Sequence, residues 1–227
     1  MQDPKSIYTR YRLFFIKDGL ARFIGHLDLQ DLFAKALKRA GLPIAYSQGF
    51  NPHQLLSFAQ PLSLGYSSSC ELLETEMLQP VDTDELVSRL EKHMPEGMKI
   101  ISAAHIKTPA KSAAALIEKS VYIISFPNVP RLKEGLSSAR THIMTSKEIF
   151  IEKKGKQDPL NIRPDIFDLV ECANGTQPIV KATLAAGSNK NLRPDLVAKL
   201  ILDKIGINIE NETIDYHREK IILKGQI

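Results

Sequence analysis

Hydrophobic and polar positions in the first half of the chain follow two periods, one typical of strands and one typical of helices. Residues 11–16, YRLFFI, alternate and carry aromatic side chains, which predicts a strand. Apolar residues recur at helical spacing over 29–40, which predicts a helix capped by Asp28 and ended by Gly41. Two further strands, a second helix with its cap at Asp82, and a last strand complete this half. The resulting β-α-β-β-α-β order is the split βαβ pattern of a ferredoxin-like unit.

The second half of the chain repeats this order more loosely. Its pattern predicts a helix over 131–140, a helix from Pro194 to Gly206, and four strands, which are VYIISF, EIFIEKK, PIVKATLAAG and DYHREKIIL. The segment NIRPDIFDLVE adds a loop and a strand. We therefore predict an α+β protein of two tandem ferredoxin-like units with antiparallel sheets. The predicted units are residues 1–106 and 120–227, joined by a linker over 107–119.

The composition is that of a globular protein and excludes several other classes. The 227 residues are 43% hydrophobic and 25% charged. No apolar run approaches the about 20 residues of a membrane span, and the N-terminus lacks a secretory layout. We therefore expect a cytoplasmic protein with no membrane partner. Cys70 and Cys172 form no CxxC pair and the histidines lack metal-ligand spacing, so we expect no metal and no cofactor.

Charge is distributed unevenly around a net value of +4. Basic residues outnumber acidic ones between Arg10 and Arg39, and an acidic block follows over 71–85. One face could therefore attract phosphate while another repels it. In addition, a sheet with helices on one face must place its other face against a second domain or a ligand. RNA-recognition domains use such a sheet face to bind RNA.

The stretch SQGFNPHQLLSF, residues 47–58, concentrates turn-forming residues next to a histidine and an aromatic ring. It could form a backbone nest for phosphate, with Phe50 stacked on a base and His53 as a donor. The alternative is a structured connection into the second strand. The candidate RNA-binding residues of this stretch are Ser47, Gly49, Phe50, Asn51, His53 and Ser57.

Two groups of basic residues in the first half are further candidates. Arg22 and His26 lie at a strand-to-helix corner, where free helix N–H groups favour an anion and Arg22 could clamp a phosphate. Alternatively, Asp28 caps the helix there and His26 hydrogen-bonds the loop. Lys35 and Arg39 lie on the polar face of the first helix, which either contacts RNA or is a solvated charged face.

In the second half, Arg163 and Arg193 are candidates for a phosphate contact. Arg163 belongs to the motif NIRP, and Arg193 precedes the last predicted helix. Each could contact phosphate at a helix N-terminus. Alternatively, the two arginines belong to a flexible loop and a helix cap without contacting phosphate.

Residues 21–71 resemble the opening of a bacterial family of unknown function, whose members are fused to or encoded beside cobalamin-binding radical-SAM proteins. The matching pieces are RFIGHLDL, RAGLPIAYSQGFNPH and LSFAQPLSLG, with NIRPDIF later in the chain. Gln30 and Gln54 stand where the family pattern has an arginine and a proline. The resemblance implies a radical-SAM protein as partner and does not imply an enzymatic activity. In layout the chain is more distantly similar to the repeat-processing endoribonucleases of CRISPR systems, which use histidine for acid-base work.

The sequence contains no Walker loop, Rossmann glycine pattern, GxSxG or HExxH. Our leading hypothesis is a non-catalytic, RNA-binding accessory module that presents tRNA or rRNA to a radical-SAM partner. One alternative is a metal-independent endoribonuclease in which His26 and His53 act as base and acid. Another is a scaffold that binds only protein.

Overall fold

The computed structural model describes residues 8–107, 109–152, 159–174 and 177–225. The chain divides into two compact units, Met1–Leu116 and Ile117–Ile227. Both units combine helices with antiparallel strands, so the predicted α+β class is confirmed. Within the described residues, no helix has the length and apolar character that crossing a bilayer requires.

The first unit contains four strands that pair in the order β4-β1-β3-β2, each antiparallel to its neighbour. Its elements are β1 (Thr9–Lys17), α1 (His26–Arg39), β2 (Leu56–Phe58), β3 (Ser67–Met77), α2 (Thr83–Glu91), β4 (Met98–Ile106) and α3 (Ala113–Leu116). A short 3-10 helix, Gly19–Phe23, connects β1 to α1. From β1 to β4 this is the predicted β-α-β-β-α-β element order. The helix α3 lies within the segment predicted as a linker.

The core of the first unit lies between its sheet and the two long helices. Leu13 and Phe15 of β1 are fully buried, as are the apolar stripes of α1 and α2, which include Phe33, Leu37, Leu86 and Leu90. Successive strand residues point to opposite faces, so β1 and β3 present a second set of side chains away from this core. We call this second set, Arg10, Arg12, Glu74 and Glu76, the polar sheet face.

The first helix begins earlier than its sequence pattern predicts. Gly25 is the N-cap and α1 starts at His26, so the prediction that Asp28 caps the helix is wrong. Asp28 instead lies in the first turn, where a carboxylate interacts favourably with the helix dipole. The predicted end is confirmed, because Gly41 follows the helix with a φ of +63° that favours glycine.

The second unit has the strand order β10-β5-β9-β8, again antiparallel, and a separate pair of short strands, β6 with β7. Its elements are β5 (Ile117–Ser125), α4 (Pro130–Thr145), β6 (Phe150–Ile151), β7 (Leu160–Asn161), β8 (Ile166–Asn174), β9 (Gln177–Ala185), α5 (Pro194–Ile205) and β10 (Asp215–Leu223). Close helix packing requires Gly135, because a Cβ there would lie 2.8 Å from a side-chain carbon of Ile205.

One strand assignment in the second unit is wrong. The pattern predicts one strand over EIFIEKK as part of a ferredoxin-like unit, yet among its described residues only Phe150–Ile151 is extended, and it pairs with β7 outside the main sheet. Its last two residues, at 153 and 154, lie outside the described residues. The edge of the main sheet is formed by β8, which comes from the segment predicted to add a loop and a strand. Ile166 and Leu169 of β8 are buried, so this strand contributes to the core of the second unit.

Candidate RNA-binding surface of the first unit

The loop over 47–53 is closed at its base by contacts between Ser47 and His53. The Ser47 N–H donates to the His53 carbonyl at 2.8 Å, and the His53 N–H donates to Ser47 Oγ at 3.0 Å. Ser47 Oγ also lies 2.9 Å from His53 Nδ1. When the hydroxyl proton points to Nδ1, the neutral ring carries its own proton on Nε2, and the exposed His53 ring presents a donor to solvent.

Phe50 lies at the tip of this loop and is fully exposed, with a relative accessibility of 105%. Its neighbours Gly49, Asn51 and Pro52 are exposed as well. Gly49 has a φ of +134°, a backbone conformation that other residues rarely adopt, so the turn that displays Phe50 depends on glycine. The loop therefore presents an aromatic ring that contributes nothing to the core.

Gln54 ties the end of the loop to the first helix. Its Nε2 donates to the Ala34 carbonyl at 3.0 Å. The loop consequently lies beside the second half of α1, where Lys35, Lys38 and Arg39 are exposed. Lys35 has an exposed partner, Asp31, at 3.8 Å. The end of the loop is therefore joined to the helix that carries these basic residues.

The corner before α1 is held by local contacts. The guanidinium of Arg22 donates from Nε to the Gly65 carbonyl, and the Gly65 N–H donates to the Arg22 carbonyl at 2.9 Å. His26 Nε2 lies 3.2 Å from Gln30 Nε2, and its ring packs edge-on against Phe58 with 5.7 Å between ring centroids. Arg22 and His26 therefore contribute to the structure of the corner.

The two candidate catalytic histidines lie on different elements of the first unit, because His26 is the first residue of α1 and His53 precedes β2. His26 packs against Phe58, the last residue of β2, whereas His53 precedes that strand and closes the loop. Five residues of extended chain span about 16 Å at about 3.3 Å per residue. The structure groups His53 with the loop and His26 with the corner.

A cleft of about 270 Å³ lies next to the loop, on the polar sheet face. Ser57, the predicted candidate on β2, is exposed there and pairs with Glu74 in the sheet register. The lining also includes Arg10, His53, Gln54, Leu55, Leu56, Thr75, Glu76 and Ser112. The cleft therefore connects two predicted candidates, His53 and Ser57, with residues that sequence reasoning missed.

Sequence reasoning missed Arg10, Glu74 and Glu76 because their proximity depends on strand register. Arg10 pairs with Glu76 across β1 and β3, and Arg12 pairs with Glu74. Arg12 and Glu74 form a buried ion pair at 2.7 Å. The alternation of charged residues in RYR and ETE was the available signal, but the pairing of these two segments was not visible in the sequence.

The second unit contains the two remaining candidates. Arg163 donates from Nη1 to the Ile166 carbonyl and from Nη2 to the Met144 carbonyl, both at 2.7 Å. Arg193 is the N-cap of α5, and its Nη2 lies 2.8 Å from the Asp195 carboxylate. Arg163 thus links the end of α4 to the start of β8, whereas Arg193 is more than half exposed.

One buried charge lies in the first unit away from the cleft. Lys17 is 1% exposed, and its Nζ donates to the Ile24 carbonyl at 2.8 Å. Burial lowers the pKa of Lys17 below the ordinary value of 10.5, while the nearby Glu71 carboxylate acts in the opposite direction. Within the described part of the chain, no group of three His, Cys, Asp or Glu side chains is arranged to hold a metal ion.

These features define the class of the protein as an α+β protein whose first unit displays an aromatic loop beside a basic helix face and a polar cleft. The chain belongs to the bacterial family described as "Uncharacterized protein conserved in bacteria (DUF2344)", which matches residues 10–194. No curated protein matches the chain.

Solved structures that match nearly the whole chain include the following two. An unknown protein from Galdieria sulphuraria is 10% identical, with a TM-score of 0.27, and the match covers 95% of this chain and 98% of that one. A putative glycine cleavage system transcriptional repressor is 8% identical, with a TM-score of 0.24, and the match covers 93% of this chain and 99% of that one. At these scores neither similarity bears on function.

Proposed function

We propose that the first unit binds single-stranded RNA through the loop over 47–53 and the neighbouring basic face of α1. The module would present tRNA or rRNA to a radical-SAM partner, as the family resemblance implies. The observation that carries the proposal is the full exposure of Phe50 at the tip of a loop closed by Ser47 and His53. An exposed aromatic ring is a stacking surface that accepts any base.

The charges around the loop support the same function. Lys35, Lys38 and Arg39 are exposed on the helix that Gln54 joins to the loop. Lys and Arg side chains beside a stacking ring provide the phosphate contacts by which single-strand binders gain most of their affinity. When the Ser47 hydroxyl donates to Nδ1, the Nε2–H of His53 adds a donor at the base of the loop.

The geometry favours binding over the nuclease alternative. Cleavage through the 2′-hydroxyl would need His26 and His53 to face one scissile phosphate, each within hydrogen-bond reach of its proton. His26 instead contacts Gln30 and Phe58, and His53 contacts Ser47 beyond the other end of β2. The contacts of these two rings thus hold them to different parts of the first unit.

The proposal predicts that Phe50→Ala weakens binding of a single-stranded RNA of about eight nucleotides by about 1–3 kcal/mol, the value of one base stacked on an aromatic ring. Phe50→Tyr should retain most of the affinity because it keeps the ring. Fluorescence anisotropy in EDTA measures both variants, and gel analysis of the same RNA reports cleavage.

Phe150→Ala is the matched control, because Phe150 is also an exposed phenylalanine, 56% accessible, but belongs to the second unit. If Phe50→Ala and Phe150→Ala lost the same amount of RNA affinity, the loop over 47–53 would not be the RNA-binding site. RNA fragments that appear with the wild type and disappear with His53→Ala would instead support the nuclease.

A protein-binding role is the second candidate, and an exposed apolar patch supports it. Leu20, Phe23, Leu27 and Leu64 are between 61% and 86% exposed. The first three precede or begin α1, and Gly65 holds Leu64 near them through its hydrogen bond with Arg22. Apolar clusters of this kind mark protein interaction sites.

Leu27→Glu should abolish co-purification with a radical-SAM protein if this patch binds it, and should leave RNA binding unchanged.

A further inference from the structure

The exposed apolar patch of the first unit lies mainly on helical backbone. Its residues are Leu20, Phe23, Leu27 and Leu64. Leu20 and Phe23 belong to the 3-10 helix Gly19–Phe23, in which residues three apart lie on the same side, about 6 Å from each other along the axis. Leu27 is the second residue of α1. A Cβ on Gly65 would lie 3.9 Å from Cε1 of Phe23, so Leu64 precedes a residue that lies beside the Phe23 ring.

The spacing of these side chains fits a second helix. One turn of an α-helix rises about 5.4 Å, close to the roughly 6 Å between Leu20 and Phe23. Apolar residues on successive turns of a partner helix can therefore contact successive residues of the patch. Helices that bind in this way present one apolar face with anchors at i, i+3 or i+4, and i+7. The geometry thus favours an amphipathic helix as the occupant.

Carboxylates flank the patch. Residues 18–31 include three aspartates and one arginine. Asp18 and Asp28 are exposed, and a Cβ on Gly25 would lie 3.2 Å from the Asp28 carboxylate, which places this charge over the start of α1. The arginine, Arg22, is half-buried and donates a hydrogen bond to the backbone. The exposed charge beside the patch is therefore mainly negative.

We propose that the apolar patch binds an amphipathic helix of a protein partner, with lysine or arginine residues beside the apolar face of that helix. The proposal rests on the protein-binding role above and names the chemistry of the partner. Asp18 and Asp28 would attract those cations, whereas they would repel RNA phosphates and anionic lipids. In a two-fold dimer the patch would face itself and bring like charges together, so a second copy of the chain fits it less well.

The probe is a fluorescein-labelled helical peptide of about 18 residues, with leucines on one face and lysines beside them. A second peptide has glutamates in place of the lysines. Anisotropy with the full chain should show that the lysine peptide binds and that the glutamate peptide binds about tenfold more weakly or not at all. Leu27→Glu and Phe23→Ala should each weaken binding of the lysine peptide about tenfold, because each removes a large apolar side chain from the patch.

Two control variants separate the patch from other exposed groups. Leu78→Glu places the same charge at an exposed leucine of the same unit outside the patch, so it should bind the lysine peptide like the wild type. Asp28→Asn should weaken this binding and reduce its dependence on salt. Asp84→Asn removes an exposed first-turn carboxylate from α2 and should change neither property. Circular dichroism checks that each variant is folded.

The results distinguish this occupant from the protein-binding role itself. The basic helix is overturned if neither peptide binds, if both bind equally, or if Leu27→Glu and Leu78→Glu weaken binding to the same extent. The protein-binding role is then decided by the co-purification experiment with a radical-SAM protein. Self-association in the ultracentrifuge that Leu27→Glu abolishes would identify a second copy as the occupant and overturn the proposal. Binding to phosphatidylglycerol vesicles that Leu27→Glu abolishes would overturn it in favour of a lipid surface.

Discussion

Lys17 shows at the scale of one residue how the first unit tolerates a charge in its interior. The lysine is the buried last residue of β1, and its ammonium has the Ile24 carbonyl as acceptor and Glu71 nearby. Burial opposes the charged form more strongly than Glu71 favours it, so the pKa of Lys17 is lowered in the folded state. In the unfolded chain the pKa returns to 10.5.

This lowered pKa predicts an alkaline gain in stability. Between the folded pKa and 10.5 the unfolded state holds the Lys17 proton more strongly, so the free energy of unfolding rises with pH in that window. Lys17→Met removes this contribution. Urea unfolding from about pH 7 to about pH 10 should therefore show the wild type gaining stability relative to Lys17→Met. Lys99→Met, at an exposed position of the same unit, should remain parallel to the wild type, and a parallel Lys17→Met curve would contradict the assignment.

At the scale of elements, some features of the fold could be predicted from the sequence because local physics determines them. The apolar stripe over 29–40 packs one face of α1 into the core, and Asp82 caps α2 by accepting the N–H groups of Asp84 and Glu85. The start of α1 escaped prediction because Gly25, which has no side-chain acceptor, forms the cap while an ordinary capping residue follows it.

Other features depend on contacts between distant segments and could not be predicted. In the second unit β8 forms the edge of the main sheet and buries Ile166 and Leu169, an arrangement that only the folded structure reveals. The polar cleft requires the register between β1 and β3. By contrast, turn-forming residues in the sequence indicate the loop over 47–53, and its closing contacts between Ser47 and His53 lie within seven residues of chain.

Arg163 joins two elements, and its role predicts a stability effect. Its guanidinium donates to carbonyls at the end of α4 and the start of β8. Charged hydrogen bonds of this kind are worth about 1.5–3 kcal/mol, so Arg163→Ala should lower the free energy of unfolding by about 2 kcal/mol. Arg193→Ala, which breaks an exposed ion pair, should cost at most about 1 kcal/mol. Urea denaturation measures both; an Arg163→Ala variant with unchanged stability and weakened RNA binding would make Arg163 a phosphate contact instead.

At the scale of the whole molecule, a net charge of +4 attracts nucleic acid only weakly. The proposed RNA binding therefore requires basic residues placed at the site rather than a large total charge. Each phosphate contact to a single strand contributes about 0.7 to the slope of log affinity against log salt. The salt slope thus separates a local contact from a general attraction.

This reasoning predicts that Lys35→Ala and Arg39→Ala each weaken RNA binding and reduce the salt slope by about 0.7. Lys133→Ala removes the same charge from an exposed position of α4 in the second unit and lowers the net charge equally. If total charge governed binding, all three variants would lose affinity alike over about 50–200 mM salt. If α1 contacts the phosphates, Lys133→Ala retains the wild-type slope while Lys35→Ala and Arg39→Ala become less sensitive to salt. Equal salt slopes in all variants would show that α1 does not contact the phosphates. The stacking role of Phe50 is tested separately by Phe50→Ala.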